Sequence, residues 1–367
     1  MRAAVLEAVG AGLVLRDDVE AEEPHVGEVA VRVSHCGICH SDLSLIDGQL
    51  PTMIPSVLGH EAAGVVSAVG PGVTSLAVGD HVVLTPCPPC GRCYYCVRGE
   101  WSICVNSQSL MTSAHPDGGT RLRRDGQVVY RGLGVAAFAE TVITQETGAV
   151  KIRPDVPLDI ACVLGCAVQT GVGAVLNTAR VEEGATVLVM GLGGVGLSIV
   201  QGARLAAASK VIVSDPVAER RDLALKLGAT HAIDPTDQDV VTVAHDLTEG
   251  GVGVDYAFDA VGRSALIEAG INATRTGGMT VLVGVTPLVE ELRYPSATIF
   301  AAAAKQLVGC LLGSANSLHE IPRLVALWQA GRLDLESLIT AHRPLADINA
   351  AVDDLRASRG VRTVIEL

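Results

Sequence analysis

The stretch ATVLVMGLGGVGLSIV, residues 185–200, decides how the second half of this chain folds. TVLVM reads as a buried strand, LSIV begins a helical pattern, and Gly191, Gly193, Gly194 and Gly196 lie between them around Val195. Sixteen apolar residues are fewer than the roughly 20 a membrane helix needs, and the four glycines rule out a span. A strand, a glycine-rich turn and a helix in that order form the context of a dinucleotide-binding fingerprint. Gly191 makes the turn, Gly193 lets backbone approach a pyrophosphate, and Gly196 lets the helix pack on the strand, with the helix N-terminus receiving the phosphate charge. A plain tight turn is the competing reading. Asp215 speaks against it, since it ends the next strand, KVIVSD, 24 residues after Gly191, near the separation at which a carboxylate meets the adenine ribose hydroxyls. A carboxylate there repels a 2′-phosphate and Pro216 adds no cation beside it, so NAD is preferred over NADP. Arg220 and Arg221, one turn further on, either flank the adenosine or are solvated cations on a helix face.

Outward from this stretch, strand and helix patterns alternate from about residue 170: AERRDLALKLG, VDYAFDAVG and GGMTVLVGV follow KVIVSD. That alternation predicts an α/β fold with a doubly wound parallel sheet. Residues 1 to about 150 have another texture, with short β segments such as GEVAVRVSH, AGVVSAVG and GDHVVLT between Gly, Pro and Asp turns, and little helical periodicity. The tail holds a helix, SLHEIPRLVALWQAG, and a closing strand, VRTVIEL. At 367 residues, two domains are expected. Aromatic residues make up only 3% and glycines number 40, as suits Val, Ala and Leu packing between strands and helices. The net charge of −13 argues against a nucleic-acid partner. Glu7 arrives too early for the apolar region of a signal peptide, so a cytoplasmic protein without a membrane partner is expected.

Ten cysteines in a reducing compartment point to metal more than to disulfides. CGRCYYCVRGEWSIC places Cys90, Cys93, Cys96 and Cys104 in one small lobe, a ligand set for a closed structural zinc site with no position for substrate. An alternative begins at Cys87, because Cys87, Cys90, Cys93 and Cys96 form an even run similar to an iron–sulfur loop, but the spacing and following proline of such loops are missing. Cys36, Cys87, Cys162 and Cys310 read as buried small apolar residues. HCGICHSDLS, residues 35–44, is a metal site, a redox pair or a polar loop, and its own residues do not decide which.

GHE at 59–61, LGCAVQTG at 164–171, the four-cysteine lobe, GLGGVG with Asp215, and the tail VRTVIEL together resemble the zinc-dependent medium-chain alcohol dehydrogenases over nearly the whole chain. The resemblance implies a GroES-like catalytic domain over 1–170, completed by 315–367, and a Rossmann domain over 171–314. It implies two zinc ions per chain, the catalytic one held by Cys39, His60 and Cys166 with a fourth place open. Two thiolates and a neutral imidazole leave zinc Lewis acidic, so a bound alcohol loses its proton near neutral pH and hydride can leave the alkoxide. Glu61 orients a ligand or coordinates transiently, unless it is simply salt-bridged. Asp42 accepts the other ring N–H of His60. Ser41 matches the hydroxyl that accepts the substrate proton, and His40 a basic position near the pyrophosphate, where it holds the anion less firmly than arginine. Thr170 and Val285 match positions near the nicotinamide, and Arg362 one near the pyrophosphate. Many relatives carry a proton-relaying histidine where Ser44 stands; serine is no base near pH 7, so a steep pH dependence is expected.

By the same resemblance, Ser41, Pro86, Leu133 and Val285 line the substrate pocket. Pro86 stands where relatives often carry an aromatic ring, which widens the pocket toward bulky primary alcohols or their aldehydes, aromatic ones included. Gln108 replaces the arginine of enzymes acting on a glutathione adduct of formaldehyde, which weakens that alternative. Polyol dehydrogenases have a carboxylate at the position of Cys166. RLRRDGQVVYRGLGVAAFAE resembles the connection of dimeric members more than tetrameric ones, so a homodimer pairing near TVLVGV is expected. A zinc-free quinone reductase is opposed by the ligands, and a non-catalytic dinucleotide or redox sensor by Ser41 beside a complete ligand set.

Overall fold

The computed structural model describes residues 1–294 and 296–367. They form two compact units, Met1–Gln169 with Ala315–Leu367, and Thr170–Ser314.

The first unit is built around β1 (Glu28–Gly37), whose Val29, Val31 and Val33, alternate residues on one face, are buried in the unit's core, while both edges of the strand are paired. β2 (Glu61–Val69) runs antiparallel to β1 along one edge, with Gly37 opposite Glu61 and Cys36 opposite Ala62. β3 (His81–Leu84) and then β4 (Ala149–Lys151) extend the sheet beyond β2. On the other edge of β1, the strand Thr141–Gln145 covers residues 28–32. Between β1 and β2 lies a short helix, α1 (His40–Ile46). It is a departure from the β-only reading of this half. Its signal is Asp42, whose carboxylate accepts the backbone N–H of Cys39 three residues earlier and so closes half of a capping box.

The second unit holds a six-stranded sheet in which every pair is parallel. Its strands are β5 (Thr186–Met190), β6 (Lys210–Ser214), β7 (His231–Ile233), β8 (Val254–Asp259), β9 (Thr274–Leu282) and β10 (Gln306–Gly309). They lie in the order β7-β6-β5-β8-β9-β10. Crossover helices α2 (Gly194–Leu205) and α3 (Ala218–Leu227) follow β5 and β6. The order reverses at β5, the switch point outside whose carboxyl end such sheets bind ligands. Leu188, Met190, Ile212 and Ala257 form the buried centre. TVLVGV, near which a dimer pairing is expected, is not at a sheet edge: β9 is bonded to β8 and β10, and the outer strand on that side is β10.

The chain then returns to the first unit as α4 (Ser317–Gln329), β11 (Ile339–Pro344), α5 (Ile348–Arg356) and β12 (Arg362–Glu366). β12 pairs with residues 35–37 of β1, and Ile348 and Val352 join the core of Val29 and Val31. This return places Arg362 beside the start of β2. Among the described residues no single helix is long and apolar enough to cross a membrane.

Candidate metal centres and nucleotide turn

Three segments of the first unit bring their ends together. β1 delivers Cys39, the residue before α1; the turn into β2 delivers His60; and the residue after a 3₁₀ turn, Cys162–Gly165, delivers Cys166. The two sulfurs and an imidazole nitrogen lie within 4.8 Å of one another. A tetrahedral ion about 2.3 Å from sulfur and 2.0 Å from nitrogen brings its ligand atoms to about that separation or less. A soft donor set of three, with Cys39 and His60 buried and Cys166 partly so, fits zinc with one position left over.

Asp42, fully buried, organises two of these ligands. Its Oδ2 accepts the Cys39 N–H at 3.0 Å, while Oδ1 accepts the Gly59 N–H at 3.0 Å and faces His60 Nδ1 at 3.3 Å. His60 Nε2 is thereby turned toward the sulfurs, as metal-bound imidazoles require. Gly59 has φ +87, and a Cβ there would press on Phe138, so the close turn before His60 needs glycine. Ser41 Oγ lies 3.8 Å from Cys39 Sγ. Ser44 is buried in α1, and His40 is exposed at the helix start.

Glu61 and Arg362 form a buried pair, Oε2 to Nε at 3.1 Å. The approach is close but poorly aligned for a hydrogen bond, and it counts as an ion pair. Glu61 Oε1 accepts the Ala167 N–H at 2.9 Å, and Arg362 donates to the Ile38 carbonyl. Burial pushes the Glu61 carboxyl up, to about 7, against the pull of Arg362. Burial works against the Arg362 charge, but Glu61, Cys39 and Cys166 together hold it firmly cationic. The two sulfurs divide one proton unequally. A hydrogen bond from Cys166 draws the Cys39 thiol well below the usual range, and the same bond with burial pushes Cys166 well above it. Burial opposes a charge on His60, yet Asp42 and Cys39 hold its pKa well above the ordinary value. A dication among these groups inverts that balance, making thiolates and a neutral imidazole the stable forms.

The second cluster is Cys90, Cys93, Cys96 and Cys104, again with donor atoms within 4.8 Å. Backbone N–H groups of Cys90 and Asn106 point at the Cys104 sulfur at 3.2 and 3.4 Å, and that of Cys96 at Cys93. The N–H groups of Val105 and Cys96 lower the Cys93 thiol to about 6. Cys87 is not in this group; burial raises its thiol to about 11. The alternative loop beginning at Cys87 is therefore not the one formed. Cys36 and Cys162 are fully buried, as expected of apolar fillers, whereas Cys310 is only half-buried.

In the second unit, Gly191 has φ +88, and its N–H bonds the Ser214 carbonyl at 2.8 Å. A Cβ on Gly193 would meet nothing within 4 Å, while one on Gly196 would run into the Gly191 carbonyl oxygen. Gly194 and Val195 start α2. Asp215 is buried beneath the turn, with Oδ2 accepting the Leu192 N–H at 2.7 Å and Oδ1 the Val217 N–H at 2.8 Å. Arg221 bonds the Asp215 carbonyl at 2.7 Å and Asp234 at 2.8 Å, and Arg220 is buried, so neither is a solvated cation. Thr170 is buried in the helix Ala167–Gly173, and Val285 is exposed after β9. The sequence reading missed Asp259, fully buried at the end of β8, where it accepts the N–H groups of Val261 and Gly262. Its only signal is a carboxylate closing an otherwise apolar strand.

A three-ligand thiolate–imidazole site, a separate four-cysteine site and a dinucleotide-type glycine turn define the class of zinc-binding dehydrogenases. Residues 25–154 match the family model of the alcohol dehydrogenase GroES-like domain, and residues 194–330 that of the zinc-binding dehydrogenases. The chain is 37% identical over 366 residues to an NDMA-dependent alcohol dehydrogenase of Amycolatopsis methanolica, covering 99% of this chain and 98% of that one. It is 35% identical over 369 residues to an S-(hydroxymethyl)glutathione dehydrogenase of Synechocystis sp., covering 99% of each. The crystal structure of benzyl alcohol dehydrogenase from Acinetobacter calcoaceticus superposes with a TM-score of 0.93 at 33% identity, covering 100% of this chain and 99% of that one. The chain belongs to the zinc-dependent medium-chain alcohol dehydrogenase family and is a zinc-dependent oxidoreductase.

Proposed function

We propose that the protein interconverts a bulky primary alcohol, aromatic ones included, and its aldehyde, with NAD as the hydride partner. The observation that carries this reading is the cluster of Cys39, His60 and Cys166 with the Ser41 hydroxyl 3.8 Å from the Cys39 sulfur. Zinc held by the three ligands supplies the Lewis acidity that lets an alcohol lose its proton near neutral pH. The Ser41 hydroxyl takes up that proton only as it passes its own on to water or the cofactor ribose; Asp42 holds His60 in the ligating tautomer, and Glu61 with Arg362 offsets buried charge beside Cys39. Gly191, Gly193, Gly194, Val195 and Gly196 form the pyrophosphate cradle. Asp215 favours NAD because its buried carboxylate excludes a second anion at the ribose. His40, Thr170, Val285 and Arg220 are proposed cofactor contacts, and Arg362 as well, although here its side chain is engaged by Glu61 and Ile38.

The substrate class is supported by Pro86, which leaves space where relatives often place a ring, and by likeness to a benzyl alcohol dehydrogenase. A second reading, oxidation of a glutathione adduct of formaldehyde, is favoured by the relatives named for it; the uncharged Gln108 speaks against it. A panel of aliphatic and aromatic alcohols and the glutathione adduct, each with NAD and NADP, read by absorbance of the reduced nicotinamide, tests both. A higher kcat/KM for benzyl alcohol than for ethanol is expected, and the reverse ranking defeats the proposal. We also propose a cytoplasmic homodimer joined through the edge strand β10, which light scattering of the wild type and of Leu307→Asp would test: wild type a dimer, variant a monomer.

A further inference from the structure

Cys166 stands at a break in the backbone. Its φ of −139 and ψ of −77 lie outside helical values, between the 3₁₀ turn Cys162–Gly165 and the helix Ala167–Gly173. At such a break the flanking peptide groups need partners from elsewhere. The N–H after Cys166, on Ala167, is taken by Glu61. The carbonyl before it, on Gly165, accepts the Gln169 side-chain N–H at 2.5 Å. A carbonyl cannot donate, so the Gln169 amide has one orientation, and its Oε1 faces Ser317 Oγ at 2.9 Å. Ser317 must donate there, and it therefore accepts from Thr85 Oγ1 at 2.9 Å. Thr85 in turn accepts the Cys87 N–H at 3.4 Å, while its own N–H is held by the Gly148 carbonyl. Gln169, Ser317 and Thr85 are all at most 2% exposed. The result is a buried chain of hydrogen bonds, all polarised one way, from the end of β3 through the first turn of α4 to the peptide that carries Cys166. Gly165 is pressed against the same strand end; a Cβ there would meet the Leu84 carbonyl oxygen at 2.5 Å.

We propose that Gln169 is a positioning residue for the catalytic metal, its amide, braced by Ser317 and Thr85, setting the direction of the Cys166 sulfur. The proposal rests on the reading of Cys39, His60 and Cys166 as ligands. Groups that orient a metal ligand typically contribute about 10-fold to 100-fold in metal affinity. Gln169→Met keeps the volume of the side chain and loses both hydrogen bonds; Ser317→Ala unfastens the amide at its far end; Ser317→Thr keeps the hydroxyl.

The experiment follows zinc release from the whole protein to a chelator and the visible thiolate-to-cobalt absorption after cobalt replaces zinc, with thermal midpoints measured alongside. Gln169→Met is expected to release one metal per chain about 10-fold or more faster than the parent and to shift the cobalt spectrum. Ser317→Ala should move both readouts the same way by less, and Ser317→Thr should restore them. If Gln169→Met and Ser317→Ala release metal at the parental rate with the parental spectrum, even with lowered midpoints, Gln169 is merely structural and the proposal is overturned. Should Gln169→Met fail to fold, Ser317→Ala and Ser317→Thr decide by the same criteria. Cys166→Ser separates the two layers: loss of one metal upholds the ligand assignment, and retention of both overturns that assignment and this inference with it.

Discussion

The metal pocket and the nucleotide turn solve opposite problems. The turn is made of backbone: its glycines need space and a left-handed φ at Gly191, and one side chain, Asp215, ties the turn down through the Leu192 N–H. The pocket is made of side chains from residues 39, 60 and 166, and buried partners surround them: Asp42 at Cys39 and His60, and the Glu61–Arg362 pair beside them. Backbone sites are therefore sensitive to added volume, and side-chain sites to lost partners.

The largest expected effect is in the pocket. Cys39→Ser, His60→Ala or Cys166→Ser should lower kcat/KM by about three orders of magnitude, since Lewis-acid stabilisation contributes several kcal/mol. Metal analysis should fall by one ion per chain, and variants as active as the parent would refute the ligand set. Next comes a carboxylate in the second unit. Burial raises Asp259 to about 6, with the N–H groups of Val261 and Gly262 opposing. A carboxyl whose folded pKa lies above its unfolded value stabilises the fold fully only below the unfolded pKa. That stabilisation is lost as pH rises through about 6, a change of about 3 kcal/mol for two pKa units. Urea midpoints at pH 4 to 7 should thus fall less steeply with rising pH in Asp259→Asn than in the parent; parallel curves would exclude the effect.

Adding volume to the turn tests the other side of the contrast. Gly196→Ala, whose methyl would run into the Gly191 carbonyl, should raise the Kd for NAD by about 10-fold to 100-fold, the size of a strain of 1–3 kcal/mol. Isothermal titration would show it, while metal content stays unchanged. Asp42→Asn should do the converse: metal release to a chelator about 10-fold faster or more, with NAD binding unaltered. If each variant disturbed both sites equally, the distinction between the two regions would fail. The smallest effect belongs to Ser44. Ser44→His should flatten the rise of kcat between pH 6 and 9 by at most about 10-fold, one pKa unit, and a parent profile already flat would defeat the expectation.

Legibility followed the same contrast. Gly191 to Gly196 with Asp215, and Cys90 to Cys104, are short-range patterns whose spacing carries their chemistry; in the structure Asp215 bonds the glycine turn and the four sulfurs come together. The gathering of Cys39, His60 and Cys166 entered only through likeness to a family, because nothing local links positions so far apart. The helix after Cys39 was hidden by its brevity, since seven residues are too few to show a period. The dimer pairing expected near TVLVGV falls on an interior strand because strand order is a property of pairing, and both β9 and β10 are apolar enough for an interior place.

Residues alone settled the strand–turn–helix at 185–200, the acidic partner of its turn and the composition of the four-cysteine lobe, because each depends on neighbours a few bonds apart. Packing alone decided that Arg362 meets Glu61, that Gln169 reaches the peptide before Cys166, and that Asp259 is sealed from water. Those contacts join segments up to 301 positions apart, and only the antiparallel pairing of β1 with β2 and β12 brings the most distant of them together.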